Sequence, residues 1–275
     1  MQLPPLYTSA YRYPNEQIIL WLTVLLVLAV IAISATVTLC ASAVFVLVIA
    51  AISYFSIRSH HQALLSQALP VTDQTTPELA ELAQQCAIRL QPKRVEVFVT
   101  ESPVLNAYTF GVSSPSTVVI HSGLLAVMDA DEMAFVIGHE MGHARLGHTL
   151  LNTLLGGMAG IPSPMAAAAI LVLAFRWWNR ACEFSADRAG MLACGRPEKA
   201  ISALLKLAVG PGRHTPAQLE NALRQLEGQE EDAMGLLGEA LSTHPLIARR
   251  IRQIREYAAS AQYKALMRQP SAKMV

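Results

Sequence analysis

The chain contains 40 consecutive residues without a charged side chain, from Ile18 to Ile57. A single helix of that length would be about 60 Å long, roughly twice the thickness of the hydrocarbon core of a bilayer. Two spans of about 19 residues fit that thickness, with a short turn near 36–38. One long, strongly tilted helix is the alternative. We therefore predict an N-terminal segment at 1–17, a transmembrane helical hairpin at 18–57 and a further domain at 58–275.

Composition and flanking charges agree with a membrane protein whose main domain is cytoplasmic. Hydrophobic residues make up 53% of the chain and charged residues only 15%, unlike the average soluble protein. Arg12 and Arg58 flank the apolar stretch while its centre is uncharged, so the positive-inside rule places both ends in the cytoplasm. The four cysteines form no C-x-x-C pair, which argues against a disulfide framework. A net charge of +1 gives no reason to expect a nucleic-acid partner.

A predicted helix in the middle of the chain has the residue types and spacing of a metal site. His139 and His143 are four residues apart, so both rings project from one helical face towards one ion. Glu140 lies beside them, where its carboxylate can take a proton from a metal-bound water. Asp129 and Glu132 have the spacing of a capping box, which predicts the start of the helix. A pair of surface histidines spaced by coincidence is the alternative.

Two further patterns indicate where a third ligand comes from. The spacing H-E-x-x-H-x-x-G-x-x-H requires a histidine at the position of Thr149, and His148 is out of register by one. We therefore predict that His148 is a helix-end or surface residue. Glu183 and Asp187 are four apart in a later, largely apolar helix that Gly195 would end. Because buried carboxylates need partners, we predict that Glu183 binds the ion and that Asp187 orients a histidine ligand. The alternative is an ordinary pair of acidic residues on a solvated helix face.

A second apolar stretch, residues 149–175, separates the two predicted helices of the metal site. It has 27 residues without charge and contains Pro162 and Pro164. Since residues on both sides must reach the same ion, the stretch has to return to the side of the membrane that it left. Two full crossings need about 34 to 40 residues, so we predict an apolar helical hairpin that is interfacial or re-entrant.

Four segments of the chain, taken in order, resemble one known family. His-Glu-Met-Gly-His at 139–143 and Glu-Phe-Ser-Ala-Asp-Arg at 183–188 are similar to motifs of the HtpX-like family of membrane-associated zinc metallopeptidases. That family also includes the CAAX prenyl endopeptidases and the mitochondrial OMA-type protease. Residues 105–111 resemble the segment ahead of the family's zinc helix, and Ser-Thr-His-Pro at 242–245 resembles its closing segment. The resemblance covers about residues 75–255.

The resemblance implies a role for each matched residue around one zinc ion. His139, His143 and Glu183 would bind the single Zn²⁺, as in the gluzincin class of metallopeptidases. Glu140 would act first as general base and then as general acid. Asp187 would support one of the histidine ligands from behind.

The resemblance also implies residues that bind the substrate and stabilise the reacting carbonyl. His244 would help to stabilise the oxyanion. Arg250 would either anchor the helix that carries Glu183 and Asp187 or position His244. Alternatively, His244 has no catalytic role and is only the residue before Pro245 at the start of a helix. By analogy with the family, the strand at 117–121 would be the edge strand that pairs with a bound peptide, although its pattern equally fits a core strand. The substrate-binding candidates are Val118, Val119, Ile120 and Asn106.

The remaining patterns complete a mainly α fold with a small β-sheet, of the α+β class. Val95 to Val99 alternates like a strand, and with the strand at 117–121 it predicts a small sheet ahead of the metal-site helix. A surface helix is predicted from Pro77 to Leu90, and another at 201–209. Residues 210–235 mix glycine, proline and polar residues and are predicted to be a mobile surface insert.

Taken together, the sequence predicts an integral membrane zinc metalloendopeptidase that acts on protein or peptide substrates. The metallopeptidase domain at 58–275 would face the cytoplasm, at a bacterial inner membrane, with the lipid bilayer as a further partner. The family resemblance implies a role in membrane-protein quality control or processing. A membrane scaffold or chaperone with a vestigial site is the alternative. The sequence carries no signal for an oligomeric state.

Overall fold

The computed structural model describes residues 5–37, 65–111, 115–149, 166–212, 214–230 and 247–268, with a few single or paired positions between 44 and 63. Its helices are α1 Glu16–Val37, α2 Pro77–Leu90, α3 Ser122–Val127, α4 Ala130–Leu146, α5 Ala166–Cys194, α6 Pro197–Val209, α7 Pro216–Glu230, α8 Ile247–Ala259 and α9 Ala261–Met267. Its strands are β1 Leu69–Pro70, β2 Val95–Thr100, β3 Ala107–Phe110 and β4 Ser116–His121. The predicted class, mainly helical with a small sheet, is confirmed.

The apolar stretches that were predicted to meet the membrane are described only in part. α1 is described as far as Val37, and most positions between 38 and 64 lie outside the described residues. Within the described part of the chain, no helix is both long enough and apolar enough to cross a bilayer. The transmembrane hairpin at 18–57 therefore stays a prediction. So does the hairpin at 149–175, of which only Thr149 and the positions from Ala166 onward are described.

The sheet lies directly ahead of the metal-site helix and has a mixed strand order. The order is β1-β2-β4-β3, with β2 and β4 parallel and the two outer pairs antiparallel. Both predicted strands are confirmed as β2 and β4. However, β4 lies between β2 and β3, so its main-chain groups are already paired on both sides and it is not an edge strand. The interpretation of β4 as the strand that pairs with a bound peptide is therefore wrong, and among the described residues β3 is the outermost strand on that side of the sheet.

The core is built around α4, which is almost completely buried from Met133 to His143. Its start is fixed by the predicted capping box, in which Asp129 and Glu132 each accept from the other's backbone N–H. Lys206 of α6 pairs with Glu132 at 2.6 Å, so this buried carboxylate keeps a charged partner. The resulting helix is held rigidly at the end that precedes the two metal-site histidines.

The segment ahead of α1 packs onto the helical core. Leu6 and Tyr11 are buried, and the hydroxyl of Tyr257 donates to a backbone carbonyl of this segment. The backbone N–H of Tyr13 donates to Oγ of Ser185, on α5, at 2.7 Å. These contacts fix the first turn of α1 against the helix that carries the predicted third metal ligand.

Two of the remaining predicted elements are confirmed, and the predicted surface insert contains a helix. α2 begins at Pro77 as predicted, and α6 contains the predicted helix at 201–209. Within the predicted surface insert at 210–235, the chain forms α7 from Pro216 to Glu230. Leucines at 219, 223 and 226 pack against the core from one side of this helix. Their helical spacing was hidden by the glutamine and glutamate residues between them.

Candidate metal centre

Three side chains from two helices direct their ligand atoms to one point. The Nε2 atoms of His139 and His143 are 3.2 Å apart, and oxygens of Glu183 lie 3.6 and 3.5 Å from them. All three residues are buried. In a tetrahedral site with metal–ligand bonds of about 2.0–2.1 Å, two ligand atoms lie about 3.3 Å apart. The three distances match that spacing, so two imidazoles and one carboxylate fit one small divalent metal ion.

The sequence places these atoms through helix periodicity and a close contact between α4 and α5. His139 and His143 lie one turn apart on α4 and therefore share a face. Glu183 belongs to α5, which approaches α4 at Gly138 and Gly142. A Cβ added at either glycine would lie less than 3.0 Å from an alanine side chain of α5. Only glycine at these positions allows the two helices to approach closely enough for the three ligands to meet.

A buried ion pair lies behind His139. Oδ1 of Asp187 is 3.0 Å from Nδ1 of His139, and Arg250 donates to both oxygens of Asp187 at 2.6 and 2.8 Å. Burial opposes ionisation of Asp187, but the Arg250 charge and hydrogen bonds outweigh it and hold the pKa of that carboxyl below its usual value. Asp187 therefore accepts the Nδ1–H of His139, which leaves Nε2 free to bind a metal. Asp187 thus lies against His139, and Arg250 lies against Asp187 on α5; their roles at a metal ion stay predictions.

The carboxylate of Glu140 lies in a cleft between α4 and the edge strand β3. Oγ1 of Thr109, on β3, donates to Oε2 of Glu140 at 2.7 Å. The cleft has a volume of about 390 Å³ and is lined by His139, His143, Glu140 and Glu183 on one side. Residues 106–109 line its other side. Glu140 thus faces the same open space as the three ligand residues, which is the position that a general base requires.

Another histidine, His148, lies behind His143; it is at the end of α4, as predicted, but it is buried rather than at the surface. His148 is only 2% exposed, and its Nδ1 lies 3.0 Å from Nδ1 of His143. Gly147 ends α4 with φ of +80°, and this left-handed turn brings His148 back towards the helix. Burial lowers the pKa of His148 to about 4, although contact with Glu16 opposes the shift. The only sequence signal for this arrangement was the glycine directly before the histidine.

Glu16, the first residue of α1, is the buried acidic partner of His148. Oε1 of Glu16 lies 3.3 Å from Nε2 of His148. Arg12 pairs with the same carboxylate, and Ser185 donates a hydrogen bond to it. Burial would raise the pKa of Glu16, but these partners and His148 hold it below its usual value. Sequence reasoning gave Glu16 no role because it lies more than 110 residues before the metal-site helix.

The structure separates the predicted substrate-binding residues into two groups. Asn106 lines the cleft, and its role in substrate binding stays a prediction. Val118, Val119 and Ile120 are at most 1% exposed and belong to the sheet interior, so they do not present a surface to a substrate. His244 lies outside the described residues, and its predicted role stays a prediction.

The arrangement has the parts needed for hydrolysis at a metal ion. Three protein ligands would leave a fourth position open on a tetrahedral ion, and all three of these residues line the cleft. A bound divalent metal supplies a Lewis acid that lowers the pKa of water and polarises a carbonyl group. Glu140 is held next to this position by Thr109, with its carboxylate ready to accept a proton.

Comparison with known proteins identifies the family. The family described as peptidase family M48 matches residues 73–258. The chain is 29% identical over 211 residues to the plastoglobule-localized metallopeptidase 48, chloroplastic, of Arabidopsis thaliana; the match covers 71% of the chain and 61% of that protein. It is 28% identical over 221 residues to a protease HtpX homolog of Gemmatimonas aurantiaca, covering 69% and 78%. A protease HtpX homolog of Streptococcus pneumoniae is 26% identical over 238 residues, covering 70% and 77%.

Proposed function

The chain belongs to peptidase family M48 and is an HtpX-like metalloprotease, and from this premise we propose that it is a zinc-dependent endopeptidase with one catalytic ion. The ion would be held by His139, His143 and Glu183. The observation that carries this proposal is the convergence of three buried ligand atoms at tetrahedral spacing. Two imidazoles and one carboxylate are a donor set that zinc takes in peptidases, and this set favours zinc over calcium or magnesium.

We assign each catalytic step to a residue of the chain. Glu140 accepts the proton of the attacking water and then delivers it to the leaving amine. Thr109 holds Oε2 of Glu140, so that the other carboxylate oxygen remains available to the water. Asp187 fixes the ring of His139, and Arg250 fixes Asp187. His244 would donate a hydrogen bond to the carbonyl oxygen of the scissile bond, as the family resemblance implies.

We propose that the peptide substrate lies along β3 rather than β4. The strand β3 is paired with β4 on one side, and its residues line the cleft that contains Glu140. An extended peptide could add to such an edge by main-chain hydrogen bonds, which bind a peptide largely independently of its sequence. Asn106 and Tyr108, at the start of β3, would then contact side chains of the substrate.

We propose further that the chain is an integral membrane protein of the bacterial inner membrane, with its catalytic domain in the cytoplasm. The uncharged stretch from Ile18 to Ile57 supports this location. Large apolar side chains on α1 are exposed, including Trp21 at 70% and Leu25 at 65%, and exposed apolar surfaces of this kind are typical of lipid contact. A metalloprotease with this location would act in membrane-protein quality control or processing.

The test is hydrolysis of an unfolded protein substrate by the full chain in detergent. Activity should disappear on removal of metal by a chelator, return with zinc, and correlate with one zinc ion per chain by elemental analysis. Glu140→Gln should lower kcat at least about 100-fold, because general base catalysis contributes that much or more. The same variant should retain its zinc, since Glu140 is not a ligand.

A matched control separates this effect from a general loss of carboxylates. Glu81, exposed on α2, can be changed to glutamine in the same way, and that variant should keep full activity. Hydrolysis retained by Glu140→Gln would refute the assigned mechanism. A wild-type chain that binds zinc but cleaves no substrate would instead support a scaffold or chaperone.

A further inference from the structure

The two histidine ligands are supported in different ways. His139 contacts a carboxylate directly, since its Nδ1 lies 3.0 Å from Oδ1 of Asp187. His143 has no carboxylate at that distance from its Nδ1 among the described residues; its Nδ1 faces Nδ1 of His148 at 3.0 Å. The two rings meet edge to face, with centroids 5.2 Å apart. A ligating histidine usually donates its second N–H to an acceptor, and here that acceptor is another imidazole.

The hydrogen-bonding roles follow from the direction of the ligand atom. Nε2 of His143 faces His139 and Glu183, so it is the atom that binds a metal. Its Nδ1 then carries the proton and donates to Nδ1 of His148. A neutral imidazole has one N–H, so Nε2 of His148 carries the proton of that ring. Among the described residues, Nε2 of His148 has no partner of good hydrogen-bond geometry, and Oε1 of Glu16 lies 3.3 Å from it.

We propose that His148 and Glu16 are positioning residues of the metal centre. Glu16 orients the ring of His148, and His148 in turn fixes the tautomer and orientation of His143. The chain of contacts runs from the metal ligand through two imidazole rings to a carboxylate. The proposal rests on the metal site proposed above and extends it beyond the four-residue set of ligands and general base.

The carboxylate that contacts His148 comes from the N-terminal part of the chain. The residues that match the family begin at 73, so Glu16 lies outside the matched region. It is the first residue of α1, at the beginning of the long apolar stretch. Arg12 and Ser185 hold its carboxylate, and Trp178 packs edge to face against His148. The N-terminal segment therefore supports His143 through His148. The affinity for the metal should depend on how this segment packs against the helical core.

The experiment measures metal binding rather than catalysis. The full chain and its variants are stripped of metal in detergent, and the zinc dissociation constant is obtained by competition with a chromogenic chelator. His148→Phe should weaken zinc binding about 10- to 100-fold, and Glu16→Gln about 10-fold, as is usual for residues that orient a ligand. The visible absorption spectrum of the cobalt-substituted protein should change in both variants, because the geometry at His143 changes.

Glu132→Gln is the matched control. Glu132 is also a buried glutamate with a basic partner, Lys206, but its contacts do not reach the metal ligands. Its replacement should lower the unfolding temperature of the metal-free chain and leave the zinc dissociation constant within about twofold of wild type. The control therefore distinguishes weaker zinc binding from a general loss of stability.

Two results would overturn different parts of the reasoning. If wild type binds zinc and Glu16→Gln binds it equally well with an unchanged cobalt spectrum, the positioning role is refuted. If wild type itself binds no zinc, the proposed metal site is refuted. Glu16→Gln nearly preserves the shape of the side chain, so it keeps the test decisive even if His148→Phe fails to fold.

Discussion

Substitution of Gly138 by alanine tests the contact on which the whole metal centre depends. A Cβ at this position would lie 2.4 Å from Cβ of Ala193 and 3.0 Å from Cα of Gly190, both on α5. Ordinary van der Waals contacts begin at about 3.4 Å, so the shorter distance is about 1 Å too small. Neither neighbour is a flexible side chain that could rotate away. The two helices would therefore have to separate.

The expected effect of Gly138→Ala appears in two measurements. Overpacking of a tight core costs about 1–3 kcal/mol, which in a chain of this size lowers the unfolding temperature by about 2–12 °C. The zinc affinity should fall as well, because metal–ligand distances tolerate changes of only about 0.2 Å. A separation of α4 from α5 moves Glu183 away from the two histidines. We expect a zinc dissociation constant at least about tenfold higher, equivalent to about 1.4 kcal/mol.

The assay compares thermal unfolding of the metal-free chain with zinc competition against a chelator. Gly228→Ala provides the control, because a Cβ added at Gly228 of α7 would meet nothing within 4 Å. Alanine is the better helix former, so this variant should be up to about 1 kcal/mol more stable than wild type and bind zinc normally. If Gly138→Ala unfolds at or above the wild-type temperature and binds zinc with wild-type affinity, the close helix contact does not position Glu183.

Two more substitutions test the support of the general base and of the ion pair. Thr109→Val removes the hydroxyl that donates to Glu140 at 2.7 Å and should lower kcat about tenfold, with KM and zinc content unchanged. An unchanged kcat would show that Thr109 does not support the general base. Arg250→Met leaves Asp187 buried without its cation, which should lower the free energy of unfolding of the metal-free chain by about 3–5 kcal/mol. A further change of Asp187 to asparagine should recover part of that loss, and additive costs in the double variant would contradict the pairing.

The parts of the fold and the site that the sequence could predict are those with short, regular spacing. Helix periodicity related His139 to His143 and Glu183 to Asp187, because each pair lies within one turn of one helix. The capping box at Asp129 predicted where α4 begins. In these cases the chemical role and the local geometry are both encoded within a few residues.

The parts that could not be predicted depend on how separate segments meet. β4 is an inner strand rather than an edge strand because β3 pairs with it. The four residues of β3 are too few to give a strong strand signal in the sequence. The helix at 216–230 is recognisable only because the core offers a surface to its leucines. The position of His148 depends on a left-handed turn at Gly147 and on the docking of residues before α1. Tertiary contacts decided each of these cases, and local propensity did not.

The N-terminal segment shows why a family motif describes the metal centre incompletely. The matched region contains the three proposed ligands, the proposed general base and the Asp187–Arg250 pair, so it includes the residues that contact the far side of His139. The support of His143 ends at Glu16, outside that region. A chain of this family could thus keep every motif residue and still hold its metal less firmly if the start of α1 were displaced. We infer that the start of α1 serves the metal site, because the carboxylate of Glu16 lies against His148.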